Sequence, residues 1–238
     1  MLNPELNITS LAAEFRHKRR IQIRDVMLPH AAEELYRCLD QDVPWGVAYI
    51  DGEQSTLVSA DKLAVFTQDD WVNLNNKVQA RAVDKFQFIY NSYMMVTAYK
   101  EKRDPGLLLH SMVEYINAPP FLDLLRGVTG VSSIMKADAQ ATRYIPGHYL
   151  KKHNDQVANQ YREVAYVLNL TKDWQADWGG LLQFMDENGK VTDTFLPTFN
   201  SLSLFQVPMW HHVSYVAPFV PHGRYAITGW GMSRPPTA

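Results

Sequence analysis

The sequence predicts an α+β protein with a β-rich core, and three observations carry that prediction. Helical periodicity dominates before about residue 130, short apolar or alternating runs dominate after it, and turn residues punctuate those runs. Ahead of the first strong helix, RIQIRDVM (20–27) alternates as a strand does. PHAAEELYRCLDQ (29–41) opens with Pro29 and spaces Ala32, Leu35, Tyr36 and Leu39 three and four residues apart, which predicts a helix. FTQDDWVNLNNKVQARAVDKF (66–86) and LLHSMVEYINAPPFLDLLRGVTG (108–130) predict two more, the latter broken at Pro119-Pro120.

Beyond residue 130 come VSSIMKADAQATRYIPG, REVAYVLNL, GGLLQFMDENGK, SLSLFQV, HHVSYVAPF and GRYAITGW. So many short runs in so little chain suggest an antiparallel sandwich or barrel. DENGK (186–190) adds an Asn-Gly hairpin signal between two of them. The expected organisation is a single domain over 1–238, with 1–130 a mostly helical support and 131–238 the β core. Residues 45–110 carry no pattern that names them; they are read as shaping substrate entry or a homodimer contact.

Composition narrows the function classes. With 46% hydrophobic and 20% charged residues the chain is ordinary globular protein, and a formal charge of −2 gives no electrostatic footprint for nucleic acid. Cys38 is the only cysteine, which excludes an intramolecular disulfide and a four-thiolate site and suits a reducing cytoplasm. No stretch reaches the roughly 18 apolar residues of a membrane span, and the N-terminus lacks a cleavable apolar core, so the expectation is a soluble, unprocessed chain.

HYLKKHND (148–155) places His153 and Asp155 two apart. In an extended segment such residues share a face and can offer an imidazole and a carboxylate to one ion. Alone the pair is a weak signal. A second pair, His211-His212, falls on a later β run, and Arg224 opens the last one. Two histidines and one carboxylate on one face of a metal make the facial triad of non-haem Fe(II) oxygenases, and a strand-end arginine could hold a carboxylate bidentately.

These residues resemble a family, the Fe(II)/2-oxoglutarate-dependent dioxygenases, and within it the prolyl hydroxylases. The resemblance spans roughly 139–232: RYIPGHYLKKHND, TKDWQADWGGLLQF, WHHVSYV and GRYAITGW occur in the family's order. It implies a double-stranded β-helix, that is a jelly roll, braced by N-terminal helices. It also implies iron(II) on His153, Asp155 and His211, with 2-oxoglutarate and dioxygen as cosubstrates. His211 is preferred over His212 because the family's ligand precedes one variable residue and a valine, as in His211-His212-Val213; on a strand the neighbouring rings face opposite ways.

For 2-oxoglutarate the resemblance implies Arg224, with Tyr144 as a hydrogen-bonding partner and Thr228 on the arginine's strand face. Asn169 stands where relatives often carry a tyrosine that contacts the distal carboxylate. His148 is read as a bystander. A prolyl residue of a protein or peptide is the implied substrate, and a free amino acid or small metabolite the runner-up. A non-catalytic or cupin-like metal-binding jelly roll is the alternative from another class; cupins generally gather three histidines and a glutamate and need no such arginine.

Overall fold

Capping residues and prolines start the helices, of which the first is one that the sequence pattern does not place. In the computed structural model, which describes residues 1–234, α1 (Ile8–Lys18) begins where the Asn7 carboxamide accepts from the Ser10 amide. Then follow β1 (Arg20–Arg24) and α2 (Pro29–Gln41) with proline in its first turn. Next come β2 (Gly46–Asp51), β3 (Gln54–Val58), the short α3 (Ala60–Leu63) and α4 (Gln68–Ala82). A reciprocal Thr67–Asp70 capping box, an arrangement that contributes about 1 kcal/mol, opens α4. After β4 (Phe88–Tyr93) and α5 (Met95–Glu101), the double proline divides α6 (Leu108–Ile116) from α7 (Pro119–Thr129).

The rest is strand: β5 (Lys136–Ala137), β6 (Gln140–Tyr144), β7 (Tyr149–His153), β8 (Arg162–Asn169), β9 (Leu182–Met185), β10 (Val191–Phe195), β11 (Ser201–Gln206), β12 (His211–Val213) and β13 (Arg224–Met232). Pairing runs β11-β8-β13-β6 on one side and β7-β12-β9-β10 on the other, two four-stranded antiparallel layers that make a jelly roll. At the β9–β10 turn only Gly189 takes positive φ, at 83°, so the Asn-Gly pair closes a hairpin with a glycine bulge instead of a two-residue turn.

The sequence pattern singles out one strand before residue 130; the structure has four. β1 extends the first layer beyond β11, and β2 and β3 extend it on the far side. β4 pairs with β6 through Asn91–Tyr93 and with β7 through Phe88 and Ile89, so it passes from one layer to the other. The open ends of the sheet, β1 and β10, are tied by side chains: Arg20 Nε donates to Asp193 Oδ2 at 3.0 Å and the Gln22 amide to the Leu196 carbonyl at 2.8 Å.

The largest apolar core lies outside the barrel. Phe15, Leu35, Leu39, Leu109, Met112, Phe121 and Leu125 from the helices pack on Ile21, Ile23, Tyr166, Leu168, Leu204 and Ile227 of the first layer. Alternation along β8 then sends Ala165 and Val167 to the inner face, where a cavity opens between the layers. Helices therefore hold one layer rigid from behind, and the inner face is free to carry chemistry. No helix of the described residues is long and apolar enough to cross a membrane.

Candidate active site

The cavity has a volume of about 630 Å³, within the range of sites for small molecules. Strand register builds its chemistry. β7 and β12 pair with His153 directly opposite His211, bringing the ring centroids to 4.1 Å. Asp155 follows two residues later but not by strand alternation: β7 ends at His153, and Asp155 has φ of 62°. The left-handed turn, which aspartate tolerates better than most residues, swings the carboxylate back over the imidazoles. The extended geometry expected for this pair is thus replaced by a strand end and a tight turn.

His153 Nε2 stands 3.2 Å from Asp155 Oδ1, His211 Nε2 stands 3.6 Å from Asp155 Oδ2, and one donor atom from each lies within 4.8 Å of the others. Ligands about 2.1 Å from one ion, at right angles to each other, are about 3 Å apart, so the spacing suits a shared metal. The second ring nitrogens fit too. His153 Nδ1 donates to the Lys151 carbonyl at 3.0 Å and His211 Nδ1 to the Met209 carbonyl at 2.8 Å, which leaves both Nε2 lone pairs facing the carboxylate.

Protonation states agree with a cation site. Burial lowers the His211 imidazole to about 4, so it is neutral at physiological pH. Burial alone would raise the Asp155 carboxyl, but its contacts with the two imidazoles outweigh that and hold it down at about 2, so it is ionised at neutral pH. His212 faces the other way, its Nε2 meeting Gln183 Oε1 at 2.9 Å.

At the other end of the cavity Arg224 is 3% exposed, and its Nε has no hydrogen-bond partner. Register sets it opposite Tyr144, whose ring lies 5.1 Å from the guanidinium carbon. Desolvation lowers the guanidinium to about 10, which still leaves it charged at neutral pH. A buried, incompletely bonded cation is costly, and an anionic ligand would offset that cost. The Gly-Gly turn before β9 permits this arrangement. Gly179 takes φ of 73° with no room for a Cβ, which would meet the Tyr215 carbonyl oxygen at 1.9 Å, and Gly180 comes close to Arg224 Cδ.

Tyr144 and Thr228 both line the cavity; Asn169 does not. Its amide is instead spent on Ser201 Oγ at 3.2 Å and Ser203 Oγ at 3.3 Å, across the pairing with β11. Buried His148 stays apart, accepting at Nδ1 from the Ile145 amide. Two groups of cavity residues carry no motif in the sequence that would single them out. Arg162 stacks 3.5 Å from the Trp230 ring centroid and donates to the Asp155 carbonyl at 3.1 Å. Phe86, Phe88 and Tyr90 continue the ring of Tyr144 along one wall, Tyr90 stacking on it at 5.1 Å.

Comparison with known proteins agrees with this geometry. Residues 139–232 match the 2OG-Fe(II) oxygenase superfamily. The chain is 25% identical over 165 residues to a Mus musculus protein named prolyl 3-hydroxylase OGFOD1; the match covers 65% of this chain but only 29% of that protein's length. Among solved structures, a Trichoplax adhaerens prolyl hydroxylase in complex with a peptide fragment of the hypoxia-inducible-factor oxygen degradation domain aligns with a TM-score of 0.64. It is 15% identical, over 95% of this chain and 89% of that one. A 2OG-Fe(II) oxygenase family oxidoreductase from Burkholderia pseudomallei aligns with a TM-score of 0.58 at 12% identity, covering 98% and 95%. At such identities the structural likeness speaks for the fold, while the matched residues carry both histidines, the aspartate and the arginine. Through this segment the chain is similar to the 2OG-Fe(II) oxygenase superfamily.

Proposed function

We propose that the protein is an iron(II)- and 2-oxoglutarate-dependent dioxygenase that hydroxylates a prolyl residue of a protein or peptide. The observation that carries this reading is one cavity with a two-histidine, one-carboxylate cluster at one end and a buried, underbonded arginine at the other. His153, Asp155 and His211 would hold iron on one face, leaving its other positions open. When bound, iron supplies activation of dioxygen coupled to oxidative decarboxylation of 2-oxoglutarate.

The chain's own residues do the positioning. Arg224 pairs with the distal carboxylate of 2-oxoglutarate, and Tyr144 supplies a hydroxyl that burial keeps protonated, its acidity pushed far to the weak side. Thr228 borders the same lane. Leu150, Leu182, Phe205 and Val213 line the cavity with apolar surface and exclude water from the reacting centre. The match of residues 139–232 to the superfamily supports the cofactor assignment, and the prolyl hydroxylase named among its relatives supports the substrate.

Residues 1–238 are read as one oxygenase unit, since β1–β4 belong to the same sheet as the site. The free, buried Cys38 suits a cytoplasmic setting. The test is oxygen-dependent formation of succinate with iron(II), 2-oxoglutarate and a panel of prolyl peptides, with a gain of one oxygen on proline read by mass spectrometry. Succinate formed only with free amino acids would move the substrate to a small molecule. Absence of both turnover and anaerobic iron binding would remove the oxygenase reading.

A further inference from the structure

Tyr90 comes from β4, outside the segment that matches the superfamily, yet it lines the cavity. Its surroundings fix which way its hydroxyl works. Gln140 Oε1 accepts the Ser92 hydroxyl proton at 3.3 Å, which leaves its NH2 group free, and Gln140 and Tyr90 both line the cavity. Burial raises the pKa of the Tyr90 phenol to about 12, so its proton is in place to be donated at physiological pH.

Strand order decides what the proton faces. β6 lies between β13 and β4, so the ring of Tyr144 separates Tyr90 from Arg224. A carboxylate on Arg224 therefore has Tyr144 as its nearer phenol, and Tyr90 stands one strand further along the wall. From Tyr90 the wall continues through Phe88 to Phe86, which is exposed at the rim and packs 5.6 Å from the His153 ring. Between the Tyr144 phenol and this apolar stretch, Tyr90 and Gln140 put polar groups on the cavity wall.

From this arrangement we infer that Tyr90, with Gln140 beside it on the cavity wall, donates to a backbone carbonyl of the peptide substrate beside the target residue and so sets substrate specificity. The inference rests on the hydroxylase reading above. Proline suits such a wall: its ring packs on aromatic faces, and the tertiary amides of X–Pro bonds present carbonyl acceptors without a competing N–H. A lost hydrogen bond at a site built to make one is felt mainly in binding of the group that made it.

The probes are fluorescein-labelled ten-residue peptides with one central proline, binding anaerobically to the full chain loaded with manganese(II) and N-oxalylglycine, an inert 2-oxoglutarate analogue. Tyr90→Phe keeps the stacked ring and removes only the hydroxyl. It is expected to weaken peptide binding about tenfold and to raise KM for the peptide in parallel, with KM for 2-oxoglutarate within about twofold. Gln140→Met should move the same quantities in the same direction by less. Unchanged peptide binding in Tyr90→Phe overturns the inference, as does a rise in KM confined to 2-oxoglutarate, which would assign the phenol to the cosubstrate. Wild-type protein that binds manganese and N-oxalylglycine but no prolyl peptide sinks the prolyl reading and this inference with it. Where wild type binds and turns over peptide, unchanged binding in Tyr90→Phe counts against the role of this hydroxyl alone.

Discussion

The two ends of the cavity are built on opposite principles. At the triad end every polar atom has company: the imidazoles face Asp155, their other nitrogens are tied to backbone carbonyls, and the carboxylate is held ionised. At the arginine end a buried guanidinium lies on a tyrosine ring with its Nε unbonded. One end gathers acceptors in place for a cation, and the other waits for its counter-charge. Metal and cosubstrate should therefore both stabilise the fold, each at its own end.

Asp155→Ala breaks the first half of that contrast most severely. Two neutral imidazoles remain, and affinity for iron(II) or manganese(II), followed by anaerobic titration, should fall by more than about 100-fold with loss of turnover. Tight residual metal binding would mean that the carboxylate is not a ligand. Arg224→Met tests the second half with two readouts of opposite sign. KM for 2-oxoglutarate should rise by roughly 100-fold, the effect of removing one partner of a buried charge pair. The thermal midpoint of the ligand-free protein should rise as well, because an underbonded buried charge gives way to an apolar side chain of similar length. A lower midpoint would show the guanidinium to be well paired already.

His211→Ala and His212→Ala form a matched pair on adjacent residues. The first should abolish metal-dependent turnover. The second, which loses an outward bond to Gln183, should cost about 1 kcal/mol of stability and leave metal affinity near wild type. A reversed outcome would exchange their assignments.

A further prediction concerns His148, which belongs to neither end. Burial lowers its imidazole from 6.5 to about 4, and its Nδ1 must stay unprotonated to accept from Ile145. For a base depressed in the folded state, the contribution is complete above pH 6.5 and is lost as pH falls toward 4. The loss totals about 3 kcal/mol at the lower limit. Urea midpoints of wild type and His148→Gln measured across that window should converge as the pH drops; parallel curves would show that the histidine charges freely in the folded protein.

Legibility in the sequence followed the range of the interactions. His153, His211 and Arg224 stand out in the sequence because each sits on a strand with a readable alternation, and the ordered motifs around them separate His211 from His212. Asp155 was found for an incomplete reason, since a left-handed turn is invisible in an HxD spacing. Asn169 lies on the expected strand, but its amide goes to Ser201 and Ser203 of β11, partners that only the sheet order brings near. Tyr90 was illegible because FIYNSY is buried at every position. A strand covered on both faces loses the period-two pattern and reads as an unassigned apolar run.

That same strand bears on how the protein can be divided. A fragment beginning at residue 139 would keep the triad and Arg224, but β6 and β7 would each lose their pairing with β4. Two rows of bare amides and carbonyls would then border the gap left by β4 and its aromatic wall, an invitation to edge-to-edge self-association. The stretch that matches the superfamily carries the triad and Arg224, but its sheet edges are completed from outside it.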